Sequence, residues 1–425
     1  MQSATQVANL ANPHAVASIM KASESCQIVA HEDILDENGV KLWAKNQPVS
    51  LALQQKLLER KLRQPIESCL RADDGVTHRE LAELGQRLYD SKTHLRSGIS
   101  PWAKELLEDI PHLPLHPVAQ LLLTAGRGSS PKAYEHAVMS MLMAGAMAIY
   151  SGGDRYQQRM SMLGGLLHDI GELYIQPDYL NSTTPLTPQA WRSICVHPRV
   201  GAMLLQNQTD YPQELSRAIS EHHERGNGMG YPTQSKHLTA LGSRLSAVEA
   251  MMGILNSERA DAWEHAALAM KLVPGEFDPV SLAFASQAAS RLGHQASQQA
   301  DDDADADQIW EHALTYQSGL LEAQREAGRL ATLSPAERVR ATAGAVANAA
   351  EQLLKTCNAL GIWAPRHLTG KQVRELRLAN TEMDFRIQTL QRTFCWTDEG
   401  LAESERSELE KVWHVLRHYG HLEAA

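Results

Sequence analysis

From Pro131 to about Leu292 apolar residues recur at helical spacing with few breaks, and this stretch is predicted to be a run of helices. Its most apolar part, Val138 to Tyr150, forms one long buried helix, and Leu163, Leu166 and Leu167 close the next. Upstream the period changes. Ile28-Val29-Ala30 and Val40-Lys41-Leu42-Trp43 flank Asn38-Gly39, which predicts a short hairpin with a type I′ turn. Ser50 then opens a helix carrying Leu51, Leu53, Leu57 and Leu58. Residues 76–110 read as helical through Leu81, Leu84 and Leu88, and Pro111, Pro114 and Pro117 mark a boundary. Residues 1–25 show little pattern and are read as a fraying end.

Beyond Leu292 the acidic run from Asp301 to Asp307 is read as a solvated linker. After it, four helices are expected. Ser334-Pro335-Ala336-Glu337 has the form of a capping box with Pro at the first helical position. The helix it opens carries Val339, Val346, Leu353 and Leu360 seven apart, with Ala343, Ala350 and Cys357 between them. That is a seam with small residues at alternate positions, suited to close helix packing. The next helix places Leu376, Met383, Ile387, Leu390 and Phe394 on one face, and the last carries Leu409, Val412, Trp413 and Leu416. The expected fold is therefore mostly α, with a small N-terminal hairpin-and-helix segment and a C-terminal helical bundle. The expected division is 1–115, 116–297, a linker at 298–307, and 308–425.

Composition narrows the function classes. The 425 residues include 19 His but only 4 Phe, and the formal charge is −10. No basic footprint for DNA is present. The five cysteines, at 26, 69, 195, 357 and 395, form no CxxC and read as reduced thiols. No signal peptide is visible near Met1, and no apolar run is long enough for a bilayer. A cytoplasmic protein without a membrane partner is expected.

The histidines supply the chemistry. His136 stands at the start of the long apolar helix, and His168-Asp169-Ile170-Gly171 ends the next. His197-Pro198 follows, then His222-His223-Glu224 ahead of a Gly-rich run that includes Gly230-Tyr231-Pro232, then Glu249. Neutral imidazole and carboxylate are the usual ligands for Fe, Mn or Zn in hydrolytic sites. A carboxylate beside a His can bridge two metals, and a pair about 3.5–4 Å apart can clamp a phosphodiester and acidify a water. The spacings fit ligands delivered by successive helices of a bundle. On a regular helix His222 and His223 would diverge by about 100°, so both can face one site only near a helix end.

In this order the elements resemble the HD-GYP family, a branch of the HD superfamily of metal-dependent phosphohydrolases. Gly165-Leu166-Leu167-His168-Asp169-Ile170-Gly171 looks like the HD signature, and His222-His223-Glu224 through Gly230-Tyr231-Pro232 looks like the HHE…GYP signature. Pro177-Asp178-Tyr179-Leu180, Leu186-Thr187 and Gly275-Glu276-Phe277-Asp278-Pro279 follow in the family's order, and the resemblance covers about 131–295. It implies an HD-type helical core over 116–297 and cleavage of cyclic di-GMP to pGpG or GMP by a centre of divalent metals, Fe or Mn. Position by position, it implies one metal held by His136, His168, Asp169 and Glu249. Asp169 would bridge to a second, held by His197, His222 and His223. Gly230, Tyr231, Pro232 and Arg244 would lie on the substrate side. The 230–232 loop is linked in the family to GGDEF-type cyclases, and the C-terminal helices suit a homodimer.

The departures from the family pattern matter. Glu172 stands where the family has Lys, at a position counted with Asp169 in the catalytic group, and would repel a phosphate that Lys would pair. Glu249 replaces Asp, Asn227 replaces Asp, and Lys132 stands where a Glu would support a third metal, so two metals are expected. Lys236-His237 stand in place of a Gly-Leu-x-Gly element. A degenerate protein that binds metal or nucleotide as a sensor or scaffold is the alternative to an active enzyme.

Overall fold

The computed structural model describes residues 11–184, 186–296, 306–364, 370–397 and 401–419. Helices dominate it and strands are few, as the spacing predicts. Two compact units form, Met1–Leu186 with Ser193–Gly253, and Thr187–Arg192 with Ile254–Ala425.

The first unit opens with an element the pattern concealed. Residues 13–22, read as part of a fraying end, form helix α1 (Pro13–Ala22), capped by Asn12, whose side chain accepts from the N–H groups of His14 and Ala15. It buries Ala15, Val16, Ile19 and Ala22, one helical face. Two of those four are alanines, which carry little hydrophobic signal. The hairpin is also corrected. Strand β1 (Ile28–Ala30) pairs antiparallel with β4 (Leu70–Ala72), while β2 (Ile34–Leu35) pairs with β3 (Lys41–Trp43). Of Asn38 and Gly39 only Gly39 takes a positive φ, +81°. Asp36 Oδ1 accepts from the N–H groups of Asn38 and Val40, so the loop is a three-residue one closed by its aspartate, not a type I′ turn. Helix α2 (Leu51–Glu59) is capped by Ser50 as expected and buries Leu53 and Leu57, leaving Leu51 and Leu58 exposed. A short helix, α3 (Ile66–Cys69), leads into β4, and the apolar core here is completed by α1 and Leu121.

The segment 76–110 is three helices, α4 (His78–Ser91), α5 (Thr93–Ile99) and α6 (Ala103–Asp109). The central layer follows as α7 (Pro117–Ser129), α8 (Pro131–Tyr150) and α9 (Arg155–Leu167). Glycines let α8 and α9 touch backbone to backbone: a Cβ at Gly165 would collide with the carbonyl of Ser140. A 3₁₀ turn (Ile170–Tyr174) and the short α10 (Pro177–Leu180) lead to α11 (Pro188–Cys195), α12 (His197–Gln208), α13 (Gln213–Glu221) and α14 (Ala240–Leu255).

The second unit contains α15 (Ala262–Lys271), α16 (Pro279–Ala296) and the four expected C-terminal helices, α17 (Ala306–Leu333), α18 (Glu337–Ala359), α19 (Gly370–Thr397) and α20 (Glu403–Tyr419). The seam of α18 is buried at Val339, Ala343, Val346, Ala350, Leu353 and Cys357, while Leu360 is exposed. The capping box does not form. Helix α18 starts at Glu337 after Ala336, and Ser334 Oγ accepts instead from the Ala336 N–H. Leu376, Met383, Ile387 and Leu390 of α19 are buried; the Phe394 side chain and the acidic run 301–305 lie outside the described residues. Among the described residues no helix is long and apolar enough to cross a membrane. Cys26, Cys69, Cys195 and Cys357 are free and buried.

Candidate metal centre

Backbone packing brings the first two histidines together. Gly165 meets Ser140 where α8 and α9 touch. His168 lies three residues after Gly165 and His136 four before Ser140, one turn away on each helix, so their rings converge, with Nε2 atoms 3.3 Å apart. A second close approach adds the third. A Cβ at Gly171 would collide with the His197 carbonyl, so the turn carrying Asp169 lies directly on the start of α12. His222 and His223 follow the last residue of α13, where the helix has ended and both rings can face inward, their centroids 4.3 Å apart.

The result is two groups of four side chains that can each hold a metal ion: His136, His168, Asp169 and Glu249, and Asp169, His197, His222 and His223. Asp169 belongs to both. Its Oδ2 lies 2.9 Å from His168 Nε2 and 3.7 Å from His136 Nε2. Its Oδ1 lies 3.3 Å from His197 Nε2 and 3.4 Å from His222 Nε2. Glu249, delivered by α14, places Oε2 3.4 Å from His136 and 3.3 Å from His168.

The donor set fits divalent cations. The Nδ1 atoms of His168, His197 and His222 donate to the carbonyls of Gly165, Ile194 and Ile219, each three residues back, at 2.9, 2.8 and 2.7 Å. A carbonyl only accepts, so Nδ1 carries the proton and a neutral ring presents a lone pair at Nε2. The Nε2 atoms of His197 and His222 are 3.1 Å apart. Facing lone pairs at that distance repel unless a cation or proton is shared. Glu249 Oε2 is buried without a hydrogen-bond partner, an unfavourable state that a cation relieves.

The centre draws positive charge: burial lowers the His168 ring, but Asp169 first, with Glu249, outweighs it and raises it well above the usual imidazole value, a charge that a cation can supply in place of the proton. Burial pushes the Asp169 carboxyl up, but the charge and hydrogen bonds of His168, with bonds from His197 and His222, outweigh it and hold it well below the carboxylate range. Burial lowers His223 far below the usual imidazole value, and the neighbouring His222 adds to it. Glu172 is half-buried and feels the charges of this centre. Burial first, then the charge of Asp169, pushes its carboxyl up to about 7, against opposition from His197 and His168. An acid with a raised folded-state pKa loses stability as pH rises from about 4.5 to about 7. In metal-free protein, Glu172→Gln is therefore expected to gain about 1–3 kcal/mol over the unsubstituted chain at pH 8 and almost nothing at pH 4.5. Thermal unfolding in chelator at both pH values checks this; an equal gain at both would refute it.

The remaining expected residues are placed as follows. Gly230 packs where a Cβ would collide with the His223 carbonyl, and the Tyr231 ring stacks on His223 with centroids 4.4 Å apart at 17°. Pro232 follows in the same loop. The Arg244 guanidinium donates to Ser161 at 2.7 Å and to Ser151 at 3.2 Å. Ser151 caps the far end of α8 and Ser161 lies on α9, so Arg244 fastens α14 to both helices. Lys132 and the Lys236-His237 pair are exposed.

Two carboxylates had no role assigned from the sequence, Glu224, named only within the HHE signature, and Glu221. Glu224 is fully buried and accepts from the Thr233 N–H and hydroxyl, both at 2.6 Å, and from the Ser235 N–H at 3.0 Å, tying down the loop after Pro232. Glu221 accepts from the Thr239 N–H and hydroxyl at 2.8 and 2.7 Å, setting the start of α14 and hence the placement of Glu249. The legible signal was an acidic residue followed by a Thr/Ser-bearing, Gly-rich loop.

Comparison with known proteins centres on the same segment. Residues 133–259 match the family model of the HD domain. The chain is 29% identical over 183 residues to a cyclic di-GMP phosphodiesterase of Pseudomonas aeruginosa, covering 42% of this chain and 44% of that one. It is 33% identical over 96 residues to a 3′3′-cGAMP-specific phosphodiesterase of Vibrio cholerae, covering 23% of this chain and 20% of the relative. The chain thus spans less than half the length of these relatives. No solved structure matches it significantly.

Proposed function

We propose, from the premise that this chain belongs to the HD superfamily through residues 133–259, that it is a divalent-metal-dependent phosphodiesterase acting on cyclic dinucleotides. Cyclic di-GMP is the proposed substrate, opened by water to linear pGpG and then cleaved to GMP. The observation that carries the reading is Asp169, one carboxylate shared by two four-residue groups. His136, His168, Asp169 and Glu249 would hold one ion, and Asp169, His197, His222 and His223 the other, with Fe or Mn as the proposed metals. When bound, such a pair supplies charge stabilisation at a phosphoryl group and lowers the pKa of a water. The protein's own part is to fix the ligands. Three backbone carbonyls hold the tautomers of His168, His197 and His222, and Glu224 and Glu221 hold the loop and helix that complete the site. Glycines 165 and 171 keep the elements close enough for one carboxylate to span them.

Glu172 favours a second reading, a degenerate centre that binds metal or nucleotide without turnover. Its carboxyl adds negative charge where a dianionic substrate would approach. Turnover of cyclic di-GMP and 3′3′-cGAMP by the purified chain with added Mn or Fe separates the two. The enzyme reading expects linear product that is lost in chelator, and about 10-fold or more faster turnover in Glu172→Lys. Metal and nucleotide binding with no product from either form would establish the second reading.

A further inference from the structure

Three of the five histidines in these groups, His168, His197 and His222, share one device that His223 does not show. His168, His197 and His222 are each locked by an Nδ1–H bond to the carbonyl three residues back. His223 follows the end of α13, one residue beyond the C-cap His222. Its ring is instead flanked by two aromatic faces, His222 at 4.3 Å and Tyr231 at 4.4 Å, and only Tyr231 is close to parallel, at 17°.

We propose that Tyr231 is a positioning residue for His223, supplying through ring stacking the orientation that backbone carbonyls give His168, His197 and His222. This rests on the reading of His223 as a ligand of the second metal group. The Tyr231 ring is itself held by the backbone. Its N–H donates to the His223 carbonyl at 3.1 Å, and Gly230 lies against that carbonyl and the Glu224 backbone where no side chain fits. On the other side of Pro232, the buried Glu224 carboxylate takes three hydrogen bonds from Thr233 and Ser235. The loop is thus pinned at both ends, and the stacked ring is its inward-facing product. A planar face is what the stacking on His223 uses. Loss of an outer partner of a ligating His typically costs about 10–100-fold in metal affinity.

The test is metal stoichiometry and affinity on the full chain, by elemental analysis and Mn²⁺ titration, with circular dichroism to follow the fold. The unsubstituted protein and Tyr231→Phe are expected to bind two ions alike. Tyr231→Ala and Tyr231→Leu are expected to keep one ion and to bind the second about 10–100-fold more weakly. The leucine variant retains apolar bulk without a planar face, so it stands if the alanine variant does not fold. Two ions bound at full affinity by both variants would overturn the proposal, as would a Tyr231→Phe defect equal to that of Tyr231→Leu. His223→Ala separates this from the reading beneath it: if that variant keeps both ions at full affinity, the ligand assignment itself fails.

Discussion

Asp169→Asn is expected to lose both metal ions together and to lower turnover of cyclic di-GMP by at least about 10³-fold, roughly 4 kcal/mol of transition-state stabilisation. The substitution keeps the volume of the side chain and removes its charge. Because Asp169 reaches His168 with one oxygen and His197 and His222 with the other, one change strikes both groups. Glu249→Gln touches only the group of His136 and His168, so it is expected to weaken one ion and spare the other. Elemental analysis, with chromatography of the products, checks both. An Asp169→Asn protein that keeps two ions at unchanged affinity would show that the carboxylate is not shared.

The second large effect lies in the other unit and concerns stability. Arg386 of α19 is partly buried and donates to Glu382 at 2.6 Å, to Glu276 and, at 3.2 Å, to the Ala269 carbonyl. His265 approaches the other oxygen of Glu382 at 3.3 Å. Burial pushes the Glu382 carboxyl up, but the charge of Arg386 first, with His265, outweighs it and lowers its pKa. Arg386→Met leaves two buried carboxylates without their cation and is expected to destabilise this unit by about 3–5 kcal/mol. Hydrogen exchange in α15, α16 and α19 should then quicken by about 10²–10³-fold, with α8 and α9 unchanged. A triple variant that also carries Glu276→Gln and Glu382→Gln is expected to recover most of the loss. Unaltered exchange in Arg386→Met would show that the cluster contributes nothing.

Much of the site was legible in the sequence because its ligands are of rare, chemically committed types. A His-Asp pair ending an apolar helix and a His-His pair ahead of glycines have few structural uses, and their order along the chain is simple. The bonds of Arg244 were not legible for the opposite reason. Arginine serves many roles, and the face of α14 that it occupies is set by packing, with Gly164 of α9 against Leu245. The pairing of β1 with β4 was missed because about forty residues separate them and no turn joins them. The Ser334 capping box was overridden by the local bonding of Ser334 and Arg340, which donates to the carbonyls of Ser334 and Pro335.

By itself the sequence determined the helical class, the four-helix C-terminal region, the buried seam of α18 and the identity of the side chains that can ligate a metal. These follow from periodicity and from side-chain chemistry, which are properties of neighbouring residues. Only the tertiary structure decided that seven of those side chains meet, that Asp169 is common to both groups, and that Glu172 comes under their charge. It also assigned Tyr231 to His223, Glu224 to the loop behind it, and Arg386 to Glu276 across 110 residues. Such contacts depend on where backbones can touch, as Gly165 does at Ser140 and Gly171 at His197, and a contact between distant segments leaves no period in the chain.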